Sequence, residues 1–392
     1  MYFQKPTRFL PKMAAALAGT ASLALVLGAC SSAGAGGDAS GSASGSVPAA
    51  VTDKLASYSE PQKLDYAGQP FDVSSAQGKT VWWVTQYSGN PFLATVGKNF
   101  KAAMASAGVQ VTECDGKGNP VDASNCLDQA VSQGAAAVQM DGPEPTTYAN
   151  SLPAAVAAGI PVMAGSGVDA STPLIQGQTG VSSQPFGLTG ELAADWVIKD
   201  SGGKANVLFL TTPDVIGSTT EEDAFSKELQ ANCPDCKVTV KGVTLANWAS
   251  DLGPATSAEL VKNPNLNYVV PTFDPMTQFV NPAIQQTGKS SSVKVVSVNG
   301  NLAFMQDMAS GNSLTKALVG IDLNALGYIE ADQVLRAMTG NKPLEKAYAP
   351  VRVFDDKTVG KLDLTEQAAN DGSWYAGTGS TVNFFATLWQ KG

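Results

Sequence analysis

From residue 80 onward the chain alternates short apolar runs with longer amphipathic segments, a pattern that few folds accept. The runs are "VWWVTQ", "VQVTEC", "AAAVQM", "IPVMAG", "NVLFLT", "KVTVKGV", "LNYVVPTF", "VKVVSV" and "KALVGI". Each has the length of a strand and is mostly apolar throughout, as expected of parallel strands covered by helices on both faces. The segments between them have helical spacing. In "FLATVGKNFKAAMASAG", Phe92, Val96, Phe100 and Met104 share one face and Gly108 marks the stop. Repeating strand–helix units give doubly wound α/β layers. A chain of this length exceeds one hydrophobic core, and the polar dip "QTGVSSQPFG" lies near its middle. The expected fold is therefore α/β, with two doubly wound parallel-sheet lobes. In such sheets ligands bind beyond the carboxyl ends of the strands, so the residues just after each apolar run are the candidates for function.

The first thirty residues speak to compartment. "MYFQKPTRFLPK" carries Lys5, Arg8 and Lys12 and no acid, and Met13 to Leu27 is apolar. This reads as a secretory signal, too short for a comfortable membrane span. Gly28 and Ala29 before Cys30 resemble a bacterial lipobox, in which Cys30 is acylated and begins the mature chain; an ordinary signal cut nearby is the alternative. "SSAGAGGDASGSASGS" follows, a tract with the composition of a flexible tether. The expectation is a globule outside the cell membrane, held to its outer face by a lipid on Cys30, or a periplasmic protein. The net charge of −9 falls to −12 without the three leader cations. That acidity, with no basic run, argues against nucleic acid as a partner.

Four cysteines follow Cys30, an even number in an oxidising location. A bridge from Cys114 to Cys126 would staple a strand end to the next helix. Cys233 and Cys236 form "CPDC", which can be redox-active, a metal half-site or a structural loop disulfide. No second pair sits at zinc spacing, so the disulfide is the expected state.

The chain contains no histidine. Histidine-based triads, His-ligated zinc and any histidine general base are excluded. No G-x-S-x-G, P-loop or well-placed G-x-G-x-x-G occurs. "DGKGNPVDASN" lacks the glycine and closing glutamate of a calcium loop and reads as a solvated turn. The expectation is a binding protein without metal or cofactor. A carboxylate-dependent hydrolase is the enzymatic alternative.

Several ordered landmarks resemble those of the periplasmic-binding-protein type I family, of the ribose/sugar ABC-transporter substrate-binding kind. They are "SGNPF" after the first strand, "GIPVMAG", "PTFDPMTQFVNPAIQQTG", "VKVVSVNG" and "LGYIEADQVLRAMTG". The resemblance covers roughly residues 78 to 360 and implies two lobes joined by three crossovers, near Ser182, Gly320 and Val351. The implied organisation is residues 1–30 as signal, 31–77 as tether and extension, 78–182 with 321–350 as one lobe, 183–320 with 351–362 as the other, and 363–392 as a tail packed on the lobes. It further implies a monomer that hands a small solute to an ABC permease in the membrane. A sensory lipoprotein of the same fold is the alternative.

Mapped by resemblance, Asn90 and Phe92 match the family's N-P-F, where Asn bonds ligand and Phe stacks. Read from residues alone, the same stretch is a turn with Pro91 at the first helical position. Tyr87 either enters the cleft or caps the sheet. Asp141 follows its strand directly. Ser166 and Gly167 stand where the family often has Asp-Arg. Glu221 falls on a family arginine and Phe273 on an asparagine beside the matching Asp274. Asn299 replaces an aspartate, Gly320 a glutamine, and Trp248 fills a second stacking slot. Two arginines are thus lost and rings are kept, so a neutral sugar or polyol is expected, with a flat aromatic or heterocyclic compound, or a cation held by the rings, as alternatives. Trp82, Trp83 and Trp196 are expected in the core.

Overall fold

The computed structural model of the protein describes residues 47–391 apart from 170, 346 and 378. The signal, Cys30 and most of the tether lie outside the described residues. No described helix is long and apolar enough to cross a membrane.

The chain opens with α1 (Ala49–Ser59) and a short strand β1 (Phe71–Asp72), then enters the first lobe. There β2 (Thr80–Thr85), α2 (Pro91–Ser106), β3 (Gln110–Asp115), α3 (Pro120–Ser132), β4 (Val138–Asp141), α4 (Leu152–Ala157), β5 (Val162–Gly165) and β6 (Gly180–Ser182) follow one another. The second lobe holds α5 (Phe186–Ser201), β7 (Asn206–Thr211), α6 (Ile216–Asn232), β8 (Lys237–Gly242), α7 (Trp248–Lys262), β9 (Tyr268–Pro271) and α8 (Thr277–Gln286). It continues through β10 (Lys294–Asn299), α9 (Leu302–Ala309) and β11 (Thr315–Ile321). Helix α10 (Leu323–Met338) returns to the first lobe, and β12 (Val351–Asp355) goes back to the second. The tail adds α11 (Glu366–Asp371), α12 (Ser380–Leu388) and β13 (Trp389–Gln390).

The first sheet has the order β3-β2-β4-β5-β6 and is parallel throughout. The second has the order β12-β11-β10-β9-β7-β8, with only β12 antiparallel. Burial on both faces of the inner strands β2, β4, β5, β7, β9 and β10 explains their unbroken runs, whereas the edge strands β3 and β8 are partly exposed and carry polar residues. Trp82 and Trp83 show this directly: neighbours in β2, they are 6% and 1% exposed and pack into different core clusters on opposite faces. Trp196 packs against the main core cluster while keeping part of its surface exposed. Cys114–Cys126 and Cys233–Cys236 are disulfides, the first joining the end of β3 to α3.

Both ends of the chain depart from a plain tether and tail. In "AAVTDKLASYS" Val51 and Leu55 lie one turn apart and are buried, and α1 rests on α5 and β12 of the second lobe. Lys54 pairs there with Glu191 at 2.6 Å. The chain then crosses to the first lobe, where Tyr66 donates to Asp332 of α10. The C-terminal tail crosses too. Trp374 and Tyr375 sit in the second lobe's core with Leu318 and Phe354, while Phe385, Leu388 and Trp389 pack on α10 of the first. β1 and β13 pair in parallel, tying the two ends together.

Candidate functional site

The carboxyl ends of the two sheets meet at a cleft. Across it the lobes are bonded: Ile216 N donates to Glu144 Oε1 at 2.5 Å, and Gly217 N donates to Gly167 O at 3.0 Å. These are the first amides of α6, whose positive end favours an anionic or carbonyl acceptor. Burial pushes the Glu144 carboxyl up to about 7, against the bond from Ile216 that pulls it down.

Inside the cleft is a cavity of about 40 Å³. The first lobe supplies Gln86, Asn90, Phe92, Leu93, Gly142, Ser166 and Gly167, the crossover Gln184, and the second lobe Val215, Leu245, Trp248, Phe273 and Asn299. None of these side chains is charged. The second lobe's wall is the more apolar one, with Trp248 and Phe273 at 6.0 Å between ring centres. The indole N–H of Trp248 donates to Thr212 Oγ1 at 3.1 Å, which fixes the ring. The first lobe's wall is polar apart from Phe92 and Leu93. A cavity this small admits about one water and no sugar.

Two backbone positions mark the walls. Among the described residues, three non-glycine residues have positive φ, and two of them line this cavity: Ser166 at 50° and Asn299 at 104°. Each ends a strand or follows one. Such conformations cost energy and gather at ligand sites, where the surrounding structure holds them.

Asn90 caps α2, its Oδ1 accepting from Phe92 N at 2.9 Å, so the sequence's turn reading and its place on the cavity wall hold together. The side-chain amide N–H₂ is the group left for a solute. Tyr87 is 47% exposed and lines an outer mouth of about 520 Å³ that shares Asn90, Leu245 and Trp248 with the inner cavity. Lys117 also lines that mouth, a cation that strand ends alone had not placed there.

Three expected contacts stand off the cavity wall. Glu221 is fully buried between α5 and α6, where its Oε2 accepts from Thr189 Oγ1 at 2.9 Å. Asp274 is turned to Asn301, accepting from its backbone N at 2.8 Å and its Nδ2 at 2.7 Å. Burial pushes this carboxyl up to about 7 although both bonds favour the ionised form. Asp141 lies beneath the wall, on the sheet face that α10 covers.

There it belongs to a polar layer that the sequence did not disclose. A Cβ on Gly165 would stand 2.3 Å from Gln139 Nε2, 2.6 Å from Glu330 Oε1 and 2.9 Å from Asp141 Oδ1, so only glycine leaves room for these groups. Ser166 Oγ donates to Glu330 Oε1 at 3.3 Å, linking the layer to the cavity. Both polar atoms of Gln139 and the hydroxyls of Thr85, Ser182 and Ser183 are buried without a partner, and Asp141 has Ser166 and the Glu330 carboxyl as its neighbours. Burial raises Asp141 to about 6 and holds Glu330 well above the usual range, with the Asp141 charge adding to the latter. Two buried carboxyls this close keep a proton between them.

A two-lobed α/β receptor closing on its cleft is the class that this fold and site define. The family model for the periplasmic binding protein domain matches residues 81–342. The chain belongs to that family. A solute-binding protein of an ABC transporter from Agrobacterium vitis, solved with bound allitol, is 19% identical with a TM-score of 0.65, over 73% of this chain and 98% of its own. A second from that organism, bound to α-D-tagatopyranose, is 21% identical with a TM-score of 0.65, over 76% and 99%. A 5-methylthioribose transporter protein from Thermotoga lettingae is 18% identical with a TM-score of 0.64, over 81% and 95%. These similarities establish the fold. Comparison with curated proteins finds no significant match.

Proposed function

We propose that the protein is an extracytoplasmic receptor of an ABC importer that captures a small neutral sugar or polyol between its lobes and passes it to a membrane permease. One observation carries this reading: the cavity between the lobes is lined by rings on one side and by amides and a hydroxyl on the other, with no charge among them. Sugars have the matching character, an apolar ring face and a rim of hydroxyls. A site built of hydrogen-bonding groups also rejects analogues that lack the hydroxyls, because its own groups are then left unpaired. The solutes held by the similar solved proteins, allitol and α-D-tagatopyranose among them, belong to this class.

Asn90, Ser166, Gln184 and Asn299 are the proposed hydroxyl contacts, and Phe92, Trp248 and Phe273 the proposed stacking surfaces. Tyr87 stands at the mouth, and Asp141, Glu221 and Asp274 act only through the groups they position. Membrane attachment through a lipid on Cys30 completes the proposal. A thermal-shift screen of hexoses, pentoses, polyols, nucleosides and aromatic compounds tests it. A sugar or polyol at 100 times its dissociation constant stabilises the protein by about 2.7 kcal/mol. A shift with aromatic compounds and none with any sugar or polyol overturns the reading.

A further inference from the structure

The C-terminal tail lies beyond the family-matched residues, yet one of its side chains reaches the carboxyl ends of β10 and β11. Tyr375 follows α11 and is buried, its ring edge-on to Phe354 at 5.7 Å. Its hydroxyl oxygen lies 2.5 Å from where a Cβ on Gly320 would stand and 3.3 Å from that of Gly300. At Gly320 the tyrosine and the Phe354 ring, its Cε2 also at 2.5 Å, together leave no room for a side chain, while Gly300 is held bare by its φ of 77° and by Gly320 Cα at 2.9 Å. Gly320 is the register partner of Asn299, the strained residue on the cavity wall.

The hydroxyl has no hydrogen-bond partner in the protein, and it is not alone. Asn299 Oδ1 and Asp322 Oδ2 are buried and unpartnered at the same strand ends, Asp322 having spent Oδ1 on the amide of Ala325 as the cap of α10. Burial, with Asp322 and Asp274 adding their charge, keeps the tyrosine hydroxyl protonated and hence a donor. Beside it a cavity of about 300 Å³ opens between the lobes, bounded by Thr95, Asn301, Leu323 and Tyr375 and, unlike the inner cavity, by the charged Lys98 and Glu366. Its lining residues Gly300 and Asn301 directly follow Asn299 of the inner cavity's wall, and its volume is one that small ligands fill.

We propose that the tail forms part of the solute site, with the Tyr375 hydroxyl bonding an oxygen of the solute where β11 offers only the bare backbone of Gly320. The solute then spans from the rings at Trp248 to the hinge-side cavity. A polyol or an open, elongated sugar fits that span better than a compact one. The inference rests on the carbohydrate reading above.

Tyr375→Phe keeps the ring and removes only the hydroxyl. Calorimetric titration with allitol, D-tagatose, D-allose and D-ribose compares it with the wild type, and a melt without solute accompanies each protein. The expected result is an affinity lower by about five- to thirtyfold for whichever of these the wild type binds. The solute-free melting temperature stays unchanged or rises, because a buried hydroxyl without a partner has been removed. Equal affinity in the two proteins overturns the role of Tyr375 alone, and a lower solute-free melting temperature overturns it as well, by revealing a structural partner. Should the wild type bind none of the four, the best-binding sugar or polyol of the thermal-shift screen takes their place in the same comparison. A wild type that binds no sugar or polyol at all overturns the carbohydrate reading, and this inference with it.

Discussion

Buried polar groups on the hinge side of the molecule differ in kind from those around the cleft. At the hinge side two charged groups are matched by both ends of the chain. Asp332 of α10 accepts from Tyr66 of the N-terminal extension, from Trp389 Nε1 of the tail at 2.8 Å and from Arg336 Nε at 2.7 Å. Arg352 of β12 does the same on the other lobe, donating to Ser59 O at 2.9 Å and Trp374 O at 2.6 Å. Both ends of the chain are thus fastened to each lobe. Around the cleft, Gln139, Glu330, Ser182, Gln184, Asn299 and Tyr375 each keep a buried polar atom with no partner. Buried polar groups are costly unless matched, so the first set reads as structural and the second as held ready for a proton or a solute.

Substitutions should separate the two sets by sign as well as size. Asp332→Ala leaves Arg336 buried without its carboxylate and removes one hydrogen bond from each extension to α10. The expected loss is about 3–5 kcal/mol in denaturant melts, the largest effect considered. A loss below about 1 kcal/mol would mean that the extensions are not fastened there.

Asn90 on the cleft wall has both a structural and a proposed binding role, and a pair of variants divides them. Asn90→Ala removes the cap of α2 and should cost about 1 kcal/mol. Asn90→Ser keeps a capping oxygen but removes the amide donor. It should melt near the wild type while binding solute about five- to tenfold more weakly. Equal affinity would remove Asn90 from the contacts.

Glu330→Gln gives the smallest effect. It replaces a carboxyl that burial and the Asp141 charge hold well above the usual range with a neutral amide of the same shape. Stability near neutral pH should therefore be unchanged or slightly higher, the reverse of Asp332→Ala. The pH profile sharpens this further. Asp141 at about 6 and Asp274 at about 7 are raised above their unfolded values by burial, so the folded protein holds more protons than the unfolded one. Their contribution is full in acid below about pH 4 and is lost as the pH rises through 6 to 7. Melting temperature should therefore fall between pH 5 and pH 8, and the fall should be shallower in Asp141→Asn. A profile that rises over this range in both proteins would contradict the assignment.

Most of the fold could be read from the sequence because its inner strands are buried on both faces. The nine apolar runs all appear as strands. β6 is only "GVS" inside the polar dip, and β12, "VRVFD", is an edge strand with alternating polarity, so neither stands out as a run. α1 was hidden by the low-complexity tract before it, although Val51 and Leu55 carried the signal. At the cleft, residues that directly follow a run were legible, and Asn90, Ser166, Trp248, Phe273 and Asn299 converge on one cavity. Side-chain direction was not. Asp141 sits at a strand end but points into the layer under α10. Gln139, Glu330, Gln184 and Tyr375 come from mid-strand, helix, crossover and tail, and no local pattern brings them together. An aromatic-rich tail was the one available hint of Tyr375.

The central claim is that the unpartnered polar atoms around the cleft are completed by a solute. A crystal structure with the best-binding sugar or polyol tests it most directly. The account predicts the solute between Trp248 and Phe92, with its oxygens within hydrogen-bond distance of Asn90, Ser166 and Asn299. A solute bound elsewhere, or one in the cleft that leaves those three side chains without contact, would contradict it.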